Sequence, residues 1–169
     1  MKELYLIRHA KSSWSNPGLD DIERPLNKRG KRDAPFMGSR LKKYGVRPDM
    51  VYTSPAKRAR KTAGTIAECV GYPQERIQQR GDIYTADMNK LLLVVRQTEN
   101  RIRRLFLVGH NYVLTDFAEY LTNEPLGNVP TCGIVGIAFD IDGWHQVGEA
   151  GGHLQFFDYP KRHPEHSRK

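Results

Sequence analysis

No stretch of this 169-residue sequence approaches the length of apolar chain needed to cross a bilayer, which excludes a membrane-spanning helix. Cysteine is nearly missing. Cys69 falls in an apolar helical pattern and Cys132 in a turn; two are too few for a disulfide framework and are expected as free thiols. A signal-peptide pattern is lacking too, since Met1-Lys2-Glu3 leads at once into a strand-like run and then into charge. The expected compartment is the cytoplasm. Repeats and low-complexity linkers are not found, and His145, His153, His163 and His166 show no ligand spacing, so they read as surface residues and no metal is implied. Negative charge is in short supply: 27 Lys and Arg against 19 Asp and Glu leave a net +8. That balance raises nucleic acid as a partner. The clusters themselves, Arg101, Arg103 and Arg104, then Lys57, Arg58, Arg60 and Lys61, then Lys161, Arg162, Arg168 and Lys169, have no interleaved aromatic residues. A phosphorylated substrate and solvated faces explain the charge instead, and neither nucleic acid nor membrane is expected as a partner.

What the sequence does contain is alternation. Its length suits a single domain, 1–160, followed by a basic polar tail, 161–169. Leu4-Tyr5-Leu6-Ile7 and Leu105-Phe106-Leu107-Val108 are near-continuous apolar runs of the kind buried on both faces of a parallel sheet. Met50 to Thr53 reads as another short strand, and Ile77 to Arg80 as a short edge strand. Between them lie helical patterns: Asn27 to Tyr44, expected to split or kink near Ala34 because of Pro35 and to end at Gly45; a helix opened by Ser54-Pro55 and stopped by Gly71; Asn89 to Glu99; and Val113 to Thr122. Ile134 to Ile141 and Trp144 to Glu149, joined at Asp142-Gly143, predict an antiparallel hairpin. The expected fold is α/β: a three-layer α/β/α arrangement around a mostly parallel central sheet, with that hairpin at the C-terminal end.

In an open sheet of this class, ligands bind beyond the carboxyl ends of the strands. Those ends carry Arg8-His9-Ala10, Thr53-Ser54 leading to Arg58, and Gly109-His110-Asn111. Two histidines and an arginine pair are thereby expected at one pocket.

Leu6-Ile7-Arg8-His9-Ala10, Ser54-Pro55-Ala56-Lys57-Arg58-Ala59-Arg60-Lys61-Thr62-Ala63 and Val108-Gly109-His110-Asn111 resemble, in order and context, the histidine phosphatase superfamily with its phosphoglycerate mutase-like fold. The usual Arg-His-Gly is Arg-His-Ala here, as in the small SixA-like phosphohistidine phosphatase branch; Arg8 to Trp14, Asp21 to Asn27 and the short length are similar to that branch as well. The resemblance implies a cofactor-independent hydrolase with His9 as the nucleophile, forming a covalent phosphohistidine that water then cleaves. Arg8 and Arg58 would hold the phosphoryl oxygens, Arg58 aided by a helix N-terminus, and His110 would be protonated and donate to the phosphate. Ser12, Asp21, Arg24 and Asn111 are candidate substrate-binding residues. The ordinary alternatives are a salt bridge or turn for Asp21 and Arg24, and capping for Ser12 and Asn111.

Larger members of the superfamily carry a long insertion and a glutamate acid for an alcohol leaving group. Arg58 and Gly109 are only 51 positions apart, so that insertion is lacking and an open, shallow pocket is expected. Asp21, Glu23 and Asp82 are the candidate acids, none marked by sequence. A weakly specified acid suits phosphohistidine of a partner protein, whose phosphorus–nitrogen bond is labile; inorganic phosphate would be the product. The alternatives are a phosphatase for small phosphate esters such as nucleotides or sugar phosphates, and a non-catalytic phosphate-binding module.

Overall fold

The structure, a computed structural model, describes residues 1–167. Its elements in chain order are β1 (Lys2–Arg8), α1 (Lys28–Lys43), β2 (Met50–Thr53), α2 (Lys57–Val70), β3 (Gln78–Gln79), α3 (Gly81–Tyr84), α4 (Met88–Arg96), β4 (Arg104–Gly109), α5 (Val113–Thr122), β5 (Ile134–Phe139), β6 (Gly152–Asp158) and α6 (Pro164–Ser167). One sheet runs in the order β3-β2-β4-β1-β5-β6. The first four are parallel, and β5 and β6 add on antiparallel beside β1. The architecture is the three-layer α/β/α arrangement that the alternation predicts.

Period-two side-chain alternation divides the core between the two faces. Leu4, Leu6, Leu105 and Leu107 pack with Leu91 and Val95 of α4 and Leu114 and Phe117 of α5. Tyr5, Ile7, Phe106 and Val108 pack on the other face with Met37 and Leu41 of α1 and Ala59, Ala63 and Ile66 of α2. Strands covered on both sides cannot alternate apolar with polar, hence the continuous apolar runs.

Several elements depart from expectation. α1 passes through Pro35 as one helix, because the stripe of Ala34, Met37, Gly38 and Leu41 is buried and outweighs one lost backbone bond. It ends at Gly45 (φ 74°), where Gly45 N–H and Val46 N–H close on the carbonyls of Lys42 and Leu41. α2 starts two residues beyond Pro55, with Ala56 rather than Ser54 as its cap. The edge strand shrinks to Gln78–Gln79, and a short helix that the sequence pattern did not predict, α3, follows it. The helical pattern of Asn89 to Glu99 forms α4, which starts one residue earlier, ends three residues sooner and is capped by Asp87 accepting from Lys90 N–H at 2.8 Å.

The predicted hairpin is real, but its second strand lies further on, at Gly152–Asp158. Trp144 to Gln146 instead form a single helical turn, which drives the Trp144 ring into the core while its Nε1–H donates to the Ile102 carbonyl at 2.7 Å. The stretch expected as a polar tail is ordered as far as Ser167; Arg168 and Lys169 lie outside the described residues. His166 is buried, stacked on Phe36 with ring centroids 3.8 Å apart, and its Nε2 is 2.8 Å from Asp33 Oδ1. His163 pairs with Asp158 at 2.7 Å. Neither is a free surface residue: two carboxylates on α1 and β6 draw them in.

One contact braces the start of α1 against the segment leaving β1. A Cβ on Gly30 would stand 2.2 Å from the Lys11 carbonyl oxygen, and Asn27 N–H donates to the same oxygen at 3.0 Å. Gly30→Ala is expected to cost about 1–3 kcal/mol through overpacking. Gly64→Ala in α2, where the nearest atom would be 3.8 Å away, is expected to add about 0.5–1 kcal/mol through helix propensity. Urea midpoints of the two variants against the parent check the opposite signs.

Candidate active site

Register decides what meets at the carboxyl end of the sheet. β4 lies between β1 and β2, with Arg8 opposite Gly109 and Thr53 opposite Val108. The chain continues past each partner: His9 N–H donates to the Gly109 carbonyl and Ser54 N–H to the Val108 carbonyl, both at 3.0 Å. Arg8, His9, Arg58 and His110 therefore line one cleft of about 520 Å³ together with Ser12, Asp21, Arg24 and Asn111.

His9 is buried and its Nδ1 is 2.7 Å from the Ala10 carbonyl oxygen. A carbonyl only accepts, so the proton sits on Nδ1 and Nε2 keeps its lone pair. Ala10 is itself fixed: its N–H donates to Thr62 Oγ1 at 3.0 Å, and that hydroxyl donates to the Arg58 carbonyl at 2.8 Å. Burial, with the charges of His110, Arg58 and Arg8 behind it, pulls the pKa of His9 down to about 3. At neutral pH the ring is uncharged, as a nucleophile must be.

His110 faces His9 with ring centroids 5.2 Å apart, and its Nε2 lies 2.8 Å from Ser54 Oγ. The resemblance implies a ring protonated beside bound phosphate. In the free site, burial and then the neighbouring Arg58 hold its pKa down to about 4, so the ring is neutral at pH 7. The resemblance supplied the charge of the substrate along with the residue; the fold supplies only the residue.

Around the two rings stands a cationic frame tied by one carboxylate. Arg58 donates Nη1 to the Asp21 carbonyl at 2.6 Å and Nη2 to Asp21 Oδ2 at 2.9 Å. Arg24 donates to Asp21 Oδ1 at 2.9 Å, to Ser13 O at 3.2 Å and to Ser12 Oγ. Tyr84 O–H donates to Asp21 Oδ2 at 2.6 Å. The Tyr84 bond, then Arg58 and Arg24, hold Asp21 far below the usual carboxylate range. Arg8 donates Nη1 to the Val129 carbonyl at 2.9 Å, while its buried Nε has no protein partner among the described residues. A buried, charged donor of this kind needs an acceptor.

The ordinary alternatives for the other candidates are now weighed by their bonds. Asn111 spends its Oδ1 on Thr115 N–H and Oγ–H of α5 and its Nδ2 on Asn128 and Val129, so it braces the helix start at the cleft wall. Ser12 accepts from Arg24. Of the candidate acids, Glu23 is exposed outside the cleft and Asp82 pairs with Arg80 at 3.2 Å. Sequence reasoning missed Ser54 behind His110, Trp14 and Tyr84. Trp14 is 73% exposed and lies over the Arg24 guanidinium at 3.3 Å; Tyr84 meets His110 edge-on with centroids 5.6 Å apart. The serine of Ser54-Pro55 carries the only local signal, and there it reads as a helix cap. Among the described residues no group of three His, Cys, Asp or Glu side chains is placed to hold a metal ion, and no helix is long and apolar enough to cross a membrane.

The profile of the histidine phosphatase superfamily (branch 1) matches residues 4–83, which include Arg8, His9 and Arg58. A chloroplast protein of Arabidopsis thaliana is 28% identical over 140 residues, or 78% of this chain; the match spans 63% of that protein's length. SixA of Agrobacterium tumefaciens, assigned as a phosphohistidine phosphatase, is 28% identical with a TM-score of 0.78 over 94% of this chain and 98% of its own. The protein histidine phosphatase SixA bound to tungstate shares the fold at 18% identity, TM-score 0.81, over 95% and 98% of the two chains. The likeness in fold runs through the whole sheet and the profile takes in the first two strand-end blocks, so the resemblance no longer rests on short motifs: residues 4–83 of the chain match the histidine phosphatase superfamily, and the rest of the fold is similar to that of the SixA proteins.

Proposed function

We propose that the chain is a phosphatase that takes the phosphoryl group from phosphohistidine of a partner protein through a covalent intermediate on His9. The lone pair of His9 Nε2 forms a bond to phosphorus as the bond from phosphorus to the substrate imidazole breaks, and the departing nitrogen takes its proton from solvent. Water then attacks phosphorus, the bond to Nε2 breaks, and inorganic phosphate leaves with His9 restored. Arg8 and Arg58 compensate charge on the equatorial oxygens, which is most of what phosphoryl transfer asks of a protein. The phosphate dianion reverses the field felt by His110 and raises its pKa, so that its proton arrives with the substrate.

One observation carries the choice of substrate: the cleft's carboxylate, Asp21, is pinned as an anion by Tyr84, Arg58 and Arg24. The same bond raises the pKa of the Tyr84 hydroxyl, making it a poor acid too. An alkoxide leaving group needs a proton donor in the transition state; an imidazole needs much less help. The SixA neighbour assigned as a phosphohistidine phosphatase supports the same reading.

A phosphohistidine peptide should be turned over briskly, p-nitrophenyl phosphate slowly and alkyl phosphates scarcely, with His9→Ala slowing all of them by about 10³-fold or more. Fast hydrolysis of alkyl phosphates with none of phosphohistidine would overturn the substrate and leave the mechanism. Nitrogen-detected NMR of the histidine rings should find His9 as the neutral Nδ1–H tautomer and still uncharged at pH 5, since its pKa of about 3 lies below the ordinary 6.5; a ring that titrates near 6.5 contradicts this. Asp21→Asn removes negative charge beside the arginines and loosens Arg58. Tungstate is therefore expected to inhibit more tightly while kcat falls about tenfold, a split read from inhibition and turnover curves.

A further inference from the structure

A second cavity, of about 490 Å³, lies between α1 and α2 beside the active site. Two elements present residues to both. The loop before α1 gives Arg24 to the active site and Pro25 and Leu26 to the groove; the first turns of α2 give Arg58 to the active site and Lys57, Arg60 and Lys61 to the groove. Lys31 of α1 completes the basic lining, against the single carboxylate of Glu68. Lys31, Lys57, Arg60 and Lys61 are all exposed. The ion pairs found among the described residues engage none of them, and Arg60 donates its Nε to the Pro55 carbonyl at 2.9 Å. Four cations with one carboxylate, left unneutralised around a concave surface, form a strong positive field.

We infer that this groove docks an acidic segment of the phosphorylated partner protein, an inference that rests on the phosphohistidine reading above. Charge complementarity selects the occupant. The groove offers hydrophobic wall from Pro25 and Leu26 but no aromatic platform on which a base would stack, so it suits a peptide better than a single-stranded nucleic acid. Since both cavities flank one helix, their centres are separated by about a helix diameter of ~10 Å, and an extended chain rising ~3.3 Å per residue places the acidic residues roughly three to six positions from the phosphohistidine. An open active site has few side chains of its own to read a protein; a neighbouring charged groove supplies that discrimination.

The test compares two synthetic phosphohistidine peptides, flanked at those positions by glutamates or by lysines, on the parent and on Lys31→Glu/Lys57→Glu/Lys61→Glu. None of these lysines lines the active-site cleft, and a glutamate at Lys57 suits the helix N-terminus. The parent should favour the glutamate peptide by about tenfold in kcat/KM, less at high salt, and the variant should reverse the preference. A ratio within one enzyme is unaffected by any loss of folded fraction. Equal kcat/KM for both peptides on the parent, or an unchanged preference in the variant, overturns the docking groove and leaves the phosphohistidine reading standing. Anisotropy of the unphosphorylated glutamate peptide should show binding to the parent and loss in the variant. If that holds while neither phosphopeptide is turned over, the substrate reading fails and the groove survives. Tighter binding of an RNA or DNA oligonucleotide than of the glutamate peptide, lost in the same variant, overturns the choice of partner.

Discussion

The parallel, in-register pairing of β4 with both β1 and β2 is the constraint from which the site follows. Parallel strands end at the same edge, and the crossover helices that link them occupy both faces. Arg8-His9 leaves β1, Ser54 leaves β2 and His110 leaves β4 within one or two residues of the last ladder bonds. Residues a hundred positions apart are thus set side by side by the strongest repetitive interaction in the protein, not by loops. Slipping β1 by one residue against β4 would turn Leu4 and Leu6 toward the α1–α2 face and carry His9 away from Gly109. Core packing and catalytic placement are enforced by one register.

A second layer of order comes from the segment between β1 and α1. It lies across the cleft, tied at one end by the close approach of Gly30 to Lys11 and at the other by Asp21, which holds Arg58 of α2, Arg24 and Tyr84 of α3 at once. Half of the Asp21 side chain is exposed, so no single one of these pairs adds much stability. Their value is positional. Arginine's planar fork is useful to a phosphoryl group only when it is held in one orientation, and Asp21 together with the Asp21 carbonyl fixes Arg58 through both terminal nitrogens.

Much of this was legible in the sequence because the signals were hydrophobic and periodic. Continuous apolar runs marked β1 and β4, and the blocks that follow β1, β2 and β4 carry His9, Arg58 and His110. The misreadings have a common physical form: a polar or amphipathic residue whose partner is distant. Trp144 looked like strand because aromatic residues favour strands, but its indole N–H bonds Ile102 and rolls the backbone into a turn. Ser54 looked only like a cap; its hydroxyl does accept from Ala56 N–H ahead of α2, but it also backs His110. His166 looked exposed because nothing near it in sequence announces Asp33, 133 positions away. Tyr84 sits in a four-residue helix too short for any periodicity, and its role exists only because Asp21 lies across from it.

The electrostatics of the cleft resolve an apparent conflict. A phosphatase must gather positive charge to bind its substrate, yet it must offer an uncharged nucleophile. In this cleft both demands are met by the same side chains. Burial first, then His110, Arg58 and Arg8, disfavour a proton on His9, while the backbone bond from Nδ1 to Ala10 fixes which nitrogen is left to react. Arg58 exerts the same pressure on His110. In the proposed reaction an entering phosphate dianion opposes the arginines at both rings, but Nε2 of His9 is consumed by the bond to phosphorus whereas His110 remains free to take up a proton. One cationic frame therefore gives two histidines, 5.2 Å apart, different protonation histories along the reaction. No carboxylic acid is needed to create that asymmetry, and the single carboxylate present is committed to holding the frame.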